Sequence, residues 1–270
     1  MSYREQDPAA IDRHRLFFFL GGHDLEMAVI AELLAAHAPA RFLDKGLSWD
    51  NALASAYRQE VADVQSRGLT PVLIELRDDL DLAPDAAILV DHHAERAGAD
   101  QPTSLEQVFA LLALPRTAWT RWYELVAAND RGHIRALRRA GASNAEIREV
   151  READWRAQGV SRTEVTAVRA ALAQRREQPH LTVVGLPHER SSLAADLLDS
   201  AWSGPGWENL LVVCPCHFLF QGEGRIIVEL EAAFSGGWRG GELPERGYWG
   251  HSARGLASAA VEGLISRLLR

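Results

Sequence analysis

The side chains best suited to chemistry in this sequence are carboxylates and imidazoles, and they fall in four short groups. The first is Gly22-His23-Asp24-Leu25-Glu26. The second is Glu75, with Asp78-Asp79 as its rival a few residues on. The third is Asp91-His92-His93, and the fourth is Asp130 within Asn129-Asp130-Arg131. Mixed carboxylate and imidazole donors suit a divalent cation. Oxygen ligands favour Mg²⁺ and Mn²⁺, and imidazole moves the balance toward Mn²⁺ or Zn²⁺, so Mn²⁺ is the natural occupant. One or two such ions would clamp a phosphoryl group and activate water against it. An Asp-x-Glu at a helix start is also what a helix cap looks like, and the placement of all four groups together is what carries the metal reading.

Placement follows from the elements. Leu16–Leu20 is an unbroken apolar run ended by Gly21-Gly22, the pattern of a strand buried on both faces. Glu26–Ala38 reads as a helix and Arg41–Leu43 as a short strand. Ser48 is a fitting cap for a helix from Trp49 to about Ser66, closed by Gly68. Pro71–Glu75 and Ala87–Val90 are the next strand signals. Strand and helix therefore alternate over the first hundred residues, which predicts an α/β fold with a mostly parallel, doubly wound N-terminal sheet. The first three donor groups follow the carboxyl ends of predicted strands, the edge where open parallel sheets bind ligands.

In this context Ile88-Leu89-Val90-Asp91-His92-His93 resembles the signature of the DHH phosphoesterase superfamily. That superfamily includes RecJ-type exonucleases, oligoribonucleases, cyclic-dinucleotide phosphodiesterases and family II pyrophosphatases. The motif order is similar too: acids after the first strand, an acid at a later strand end, Asp-His-His, then an Asp beyond a helix. The resemblance implies metal ligation by Asp24, Glu26, Glu75, His92 and Asp130, with His23 and Asp78 as further candidates. It implies that His93 contacts phosphate and that Asp91 orients an imidazole, both counted here with the catalytic residues. The sequence departs from the family where Leu20, Gly21 and Gly22 stand in place of a metal-binding His, and where Glu26 and Glu75 stand in place of Asp.

The region from about 104 to 177 reads as helical. Thr103-Ser-Leu-Glu106, Ser143-Asn-Ala-Glu146 and Ser161-Arg-Thr-Glu164 each have the spacing of a capping box. Beyond Gln178-Pro179, Leu181–Val184, Leu210–Val213 and Arg225–Leu230 read as strands, with a helix near Ser191–Ser200 and another at the end. The expected organisation is a metal-binding domain over 1–130, a charged helical connector over 131–178, and a smaller α/β domain over 179–270. That last domain is similar to the DHH-associated, substrate-binding domain. Its Gly-rich stretch offers Gly236, Gly237, Gly240, Gly241, Arg239, Arg246 and His251 as phosphate or base contacts. Cys214, Cys216 and His217 read as a strand end with inert thiols.

Composition bounds the rest. The chain has 270 residues, formal net charge −8 and 29 basic residues, of which Lys45 is the lone lysine. A phosphate loop needs Lys before Ser or Thr, and Lys45 precedes Gly46. The acidic balance excludes a broad surface for long nucleic acid and leaves room for a small phosphate-containing substrate, such as a short oligonucleotide or dinucleotide. Two cysteines make no disulfide framework, the N-terminus lacks a secretory pattern, and no run is long enough for a bilayer. The expectation is a cytoplasmic hydrolase without membrane partners, compatible with a homodimer. The alternative reading is a catalytically inactive protein of the same fold that binds a nucleotide or a partner protein.

Overall fold

A computed structural model describes residues 12–83, 85–92, 101–241 and 243–270. The chain forms two compact units, one ending at Asp130 and the other running from Arg131.

The first unit is built on four parallel strands in the order β2-β1-β3-β4. They are β1 (Leu16–Leu20), β2 (Phe42–Asp44), β3 (Thr70–Ile74) and β4 (Ile88–Val90). All five residues of β1 are buried, as its unbroken apolar run requires of a central strand. Phe17 and Phe19 pack with Tyr57, Val61, Val64 and Leu73. The pleat turns Leu16, Phe18 and Leu20 to the opposite face. Helix α1 (Leu25–His37) carries the chain from β1 to β2, and α2 (Arg58–Ser66) from β2 to β3. The strand order therefore reverses between β1 and β3, which makes their carboxyl ends a topological switch point.

The helix expected from Trp49 starts later. Residues Trp49–Asn51 and Ala54–Tyr57 form two 3₁₀ turns before α2. The cause is a pair of backbone bonds, Ala54 N–H to the Arg77 carbonyl and Arg77 N–H to the Ala52 carbonyl, which pull this segment into a bridge with the stretch after β3. Tyr57 locks the corner: its hydroxyl donates to the Leu20 carbonyl at 2.7 Å and accepts from Lys45 N–H at 2.9 Å. Lys45 Nζ lies 4.8 Å from the centre of the Tyr57 ring. It also pairs with Glu60 and donates to the Ala56 carbonyl, each at 2.7 Å.

Two helices complete this part of the chain. Helix α3 (Ser104–Leu111) begins at the Thr103 capping box. Helix α4 (Arg121–Arg139) runs past the unit boundary and loses helical dihedrals at Gly132 and His133.

The second unit has a six-stranded sheet in the order β5-β6-β7-β8-β10-β9. These are β5 (Arg176–Gln178), β6 (Leu181–Gly185), β7 (Leu210–Val213), β8 (His217–Glu223), β9 (Trp238–Gly240) and β10 (Arg246–Ser252). Among the described residues of this sheet only β6 and β7 pair in parallel. On one face lie α5 (Asn144–Ala157), α6 (Arg162–Ala173) and α7 (Ser192–Leu198), whose Trp155, Val168, Leu172, Leu193 and Leu197 share a core with Val184 and Val212. The stretch expected as a solvated connector thus supplies a packed layer of this unit. On the other face, α8 (Gly224–Ala233) and α9 (Ser258–Leu268) bury Ile226, Ile227, Val261 and Ile265 against Phe220 and Trp249.

Residues Arg225–Leu230 are helical, not the expected strand. Ile226, Ile227 and Leu230 recur at helical spacing on the buried side, while Val228 is exposed. The strand lies just before, at His217–Glu223, whose alternate residues are buried.

Candidate metal centre

Glu26, Glu75, His92 and Asp130 each present a ligand atom within 4.8 Å of the others. Each is delivered by a separate element. Glu26 stands in the first turn of α1 and is 2% exposed. Glu75 follows the last residue of β3, His92 follows β4 by one residue, and Asp130 comes from α4.

The backbone at Glu75 is in the left-handed region, with φ of 49°. Its N–H donates to the Val90 carbonyl at 2.8 Å, so it stays tied to the sheet edge while its direction changes. Gly21 permits this course. A Cβ at that position would lie 2.2 Å from the Glu75 carbonyl oxygen, so no larger residue fits. The apolar strand followed by Gly-Gly is thus directly tied to the placement of the second acid.

The start of α3 organises the carboxylates. Leu105 N–H donates to Glu26 Oε1 at 3.0 Å, and the Ser104 hydroxyl donates to Glu75 Oε1 at 2.7 Å. Unsatisfied N–H groups and the positive end of a helix are suited to holding anions. Sequence reading identified the capping box at Thr103 but not that its helix faces acids 29 and 79 residues away. His92 Nε2 pairs with Asp130 Oδ2.

Three carboxylates in a buried space oppose one another's ionisation. Burial, with Asp130 and Glu75 nearby, holds the Glu26 carboxyl well above the usual carboxylate range. Its second oxygen, Oε2, is buried with no hydrogen-bond partner among the described residues. An unmatched acceptor amid acids and an imidazole is the environment a divalent cation relieves. The donor set therefore fits such an ion.

The other expected residues lie elsewhere. Asp24, expected as a ligand, is the N-cap of α1 and accepts from Met27 N–H at 2.9 Å, outside the group of four. His23 is exposed. Asp78 accepts from Leu80 N–H at 3.0 Å in the turn past the strand. The Asp91 carbonyl accepts from Gln107 Nε2 at 3.1 Å, and Asp91 also stands outside the group. His93 lies outside the described residues.

In the second unit, Arg246 and Gly241 line a cavity of about 290 Å³ together with Arg135, Arg138 and Tyr248. Arg246 also donates to the Glu208 carbonyl. Burial and the neighbouring Arg135 lower its affinity for a proton. Arg239 pairs with Glu231 at 2.8 Å, and His251 stacks on Trp249 with both ring nitrogens on backbone carbonyls. Gly236 and Gly237 precede β9, and Gly240 ends it. None of these five lines the cavity.

No family profile matches the sequence, and no curated protein matches it. Solved structures do. RecJ from Thermus thermophilus in complex with Mn²⁺ aligns over 97% of this chain and 52% of its own, at 11% identity and TM-score 0.47. This chain thus spans about half the length of that protein. The DHH domain of a protein assigned to a ribosomal protein family aligns over 97% and 88%, at 11% identity and TM-score 0.43. The pGpG-specific phosphodiesterase PggH of Vibrio cholerae aligns over 94% and 97%, at 13% identity and TM-score 0.39. All three alignments run along nearly the whole of this chain, at low identity.

Proposed function

We propose that this protein is a divalent-metal-dependent phosphoesterase acting on a small nucleotide-like substrate. The observation that carries the reading is the convergence of Glu26, Glu75, His92 and Asp130 at a sheet switch point. These four residues would hold the ion, and the imidazole among them favours Mn²⁺ over Mg²⁺. When bound, the cation supplies Lewis acidity toward a phosphoryl oxygen and toward water. Ser104 and Leu105 N–H keep the Glu75 and Glu26 carboxylates turned inward. His93 is proposed to meet the phosphate, and Asp91 to steady the imidazoles. Arg246 and Gly241, at the cavity in the second unit, are the proposed phosphate contacts there.

The group of four, Glu26, Glu75, His92 and Asp130, suits one ion better than two. That favours, as a second reading, metal-assisted nucleotide binding without turnover. Metal analysis followed by Mn²⁺-supplemented assays on dinucleotides, short oligonucleotides and pyrophosphate separates the two. Turnover is expected, falling at least ~100-fold in His92→Ala and Asp130→Asn, in line with the loss of metal ligands. Metal and nucleotide binding without turnover would establish the second reading. Turnover indifferent to both substitutions would remove the site assignment.

A further inference from the structure

The second unit carries a donor group of another character. Cys214-Pro215-Cys216-His217 is the turn joining β7 to β8. Cys214 N–H donates to the His217 carbonyl at 2.9 Å, and Val213 pairs with Phe218 across the antiparallel ladder. A turn this tight sets Cys214 and His217 opposite each other. Glu189 reaches the turn from the loop after β6, the parallel neighbour of β7. Its Oε1 accepts from Cys216 N–H at 2.9 Å, and its Oε2 pairs with His217 Nδ1 at 2.7 Å. Cys216, exposed in the same turn, carries the second thiol. Ligand atoms of Glu189, Cys214 and His217 lie within 4.8 Å of one another, and both thiols are free of disulfides.

We propose that Glu189, Cys214, Cys216 and His217 form a Zn²⁺ site that ties the β7–β8 turn to the loop after β6. Two thiols and an imidazole are the donors zinc prefers, unlike the oxygen-rich group in the first unit. Four protein ligands complete a tetrahedron, the form of a closed structural site. The imidazole is already oriented for it. Nε2 lies 3.2 Å from the Ser191 hydroxyl, which leaves Nδ1 to the Glu189 carboxylate, and the Trp238 ring stands 6.1 Å from the His217 ring. Partners on the remote nitrogen are what fix metal-binding histidines. Tetrahedral edges of about 3.3–3.8 Å follow from Zn–N, Zn–O and Zn–S bond lengths. The group lies on both sides of these edges, from 2.7 Å between Glu189 Oε2 and His217 Nδ1 to within 4.8 Å overall, and rotation of the exposed Glu189 and Cys216 side chains adjusts it.

The test is Co²⁺ and Zn²⁺ titration of the reduced, chelator-treated full chain. Co²⁺ is expected to give a near-ultraviolet thiolate charge-transfer band, which carboxylates and imidazole alone cannot produce. Competition with a chromophoric chelator should show Zn²⁺ affinity at least ~10-fold weaker in Cys216→Ser and in His217→Ala. His92→Ala should leave the band unchanged. Cys214 is buried, so the variants at exposed Cys216 and Glu189 carry the test if Cys214→Ser does not fold. Circular dichroism confirms that the variants tested are folded. Absence of the thiolate band, its persistence with unchanged affinity in both variants, or a Cys214–Cys216 disulfide in protein isolated with reductant would overturn the proposal.

Discussion

Glu26 concentrates the electrostatics of the metal centre in one side chain. It is buried beside two other acids, and one of its oxygens lacks a hydrogen-bond partner among the described residues. Glu26→Gln keeps an acceptor for Leu105 N–H and removes the charge. Without metal, the variant should therefore be more stable by about 1–2 kcal/mol, because a crowded buried carboxylate is costly. Its Mn²⁺ affinity should fall at least ~10-fold. Chemical denaturation and metal titration of the same variant check the two opposite signs, and a variant that loses stability without metal would refute the account. At this scale the sequence was informative about position and less so about role. Glu26, Glu75, His92 and Asp130 were readable as candidates because strand ends and helix ends are readable. That Asp24 also caps α1 was open in the sequence, since a cap and a ligand use the same carboxylate at the same spacing. Ser104 was hidden because its partner, Glu75, is 29 residues away in the chain.

Among the elements, the helices of the second unit are joined by a buried charge network. Arg151 on α5 is fully buried and grips Asp196 on α7 through Nε and Nη2, at 2.9–3.1 Å, and Asp154 through Nη1 at 2.7 Å. Trp155 Nε1 also donates to Asp196 at 2.7 Å. Arg151→Met should destabilise the protein by about 3–5 kcal/mol, because two buried carboxylates lose their counter-charge. Adding Asp154→Leu and Asp196→Leu to that variant should recover much of the loss. Thermal unfolding of the single and triple variants tests this, and additive losses would contradict it. Three helix starts in this protein, at Thr103, Ser143 and Ser161, form the capping boxes their spacing foretells. That signal is local, so the fold preserves it. The failures lie where long-range pairing decides. Residues 52–54 leave the helical path because Arg77 offers them a bridge. The segment 225–230, expected as a strand, is helical because the alternating segment before it takes the place beside β7 and β10.

Across the whole molecule, stability should fall on the alkaline side for an identifiable reason. Burial pushes the Tyr57 hydroxyl up to about 12, from an unfolded value near ~10. The folded state therefore holds this proton more tightly, and the stability it contributes below about pH 10 is lost as pH rises toward 12. The span corresponds to about 2–3 kcal/mol. Cys214, also pushed to about 12 by burial, adds a loss that begins at lower pH. Tyr57→Phe should remove only the tyrosine share, while costing about 1–2 kcal/mol at neutral pH through its two hydrogen bonds. Denaturant unfolding at about pH 8 and about pH 11 measures both effects, and an unchanged pH slope in the variant would refute the assignment. The same corner gives the protein an unusual chemical handle. Lys45 is the only lysine side chain, and its amine is engaged by Glu60, the Ala56 carbonyl and the Tyr57 ring. An amine-reactive dye thus has a single lysine target, exposed yet held by these partners. The rate at which Lys45 is labelled therefore reports how often its exposed amine leaves Glu60 and the Ala56 carbonyl, read by mass spectrometry without altering any residue of the metal centre.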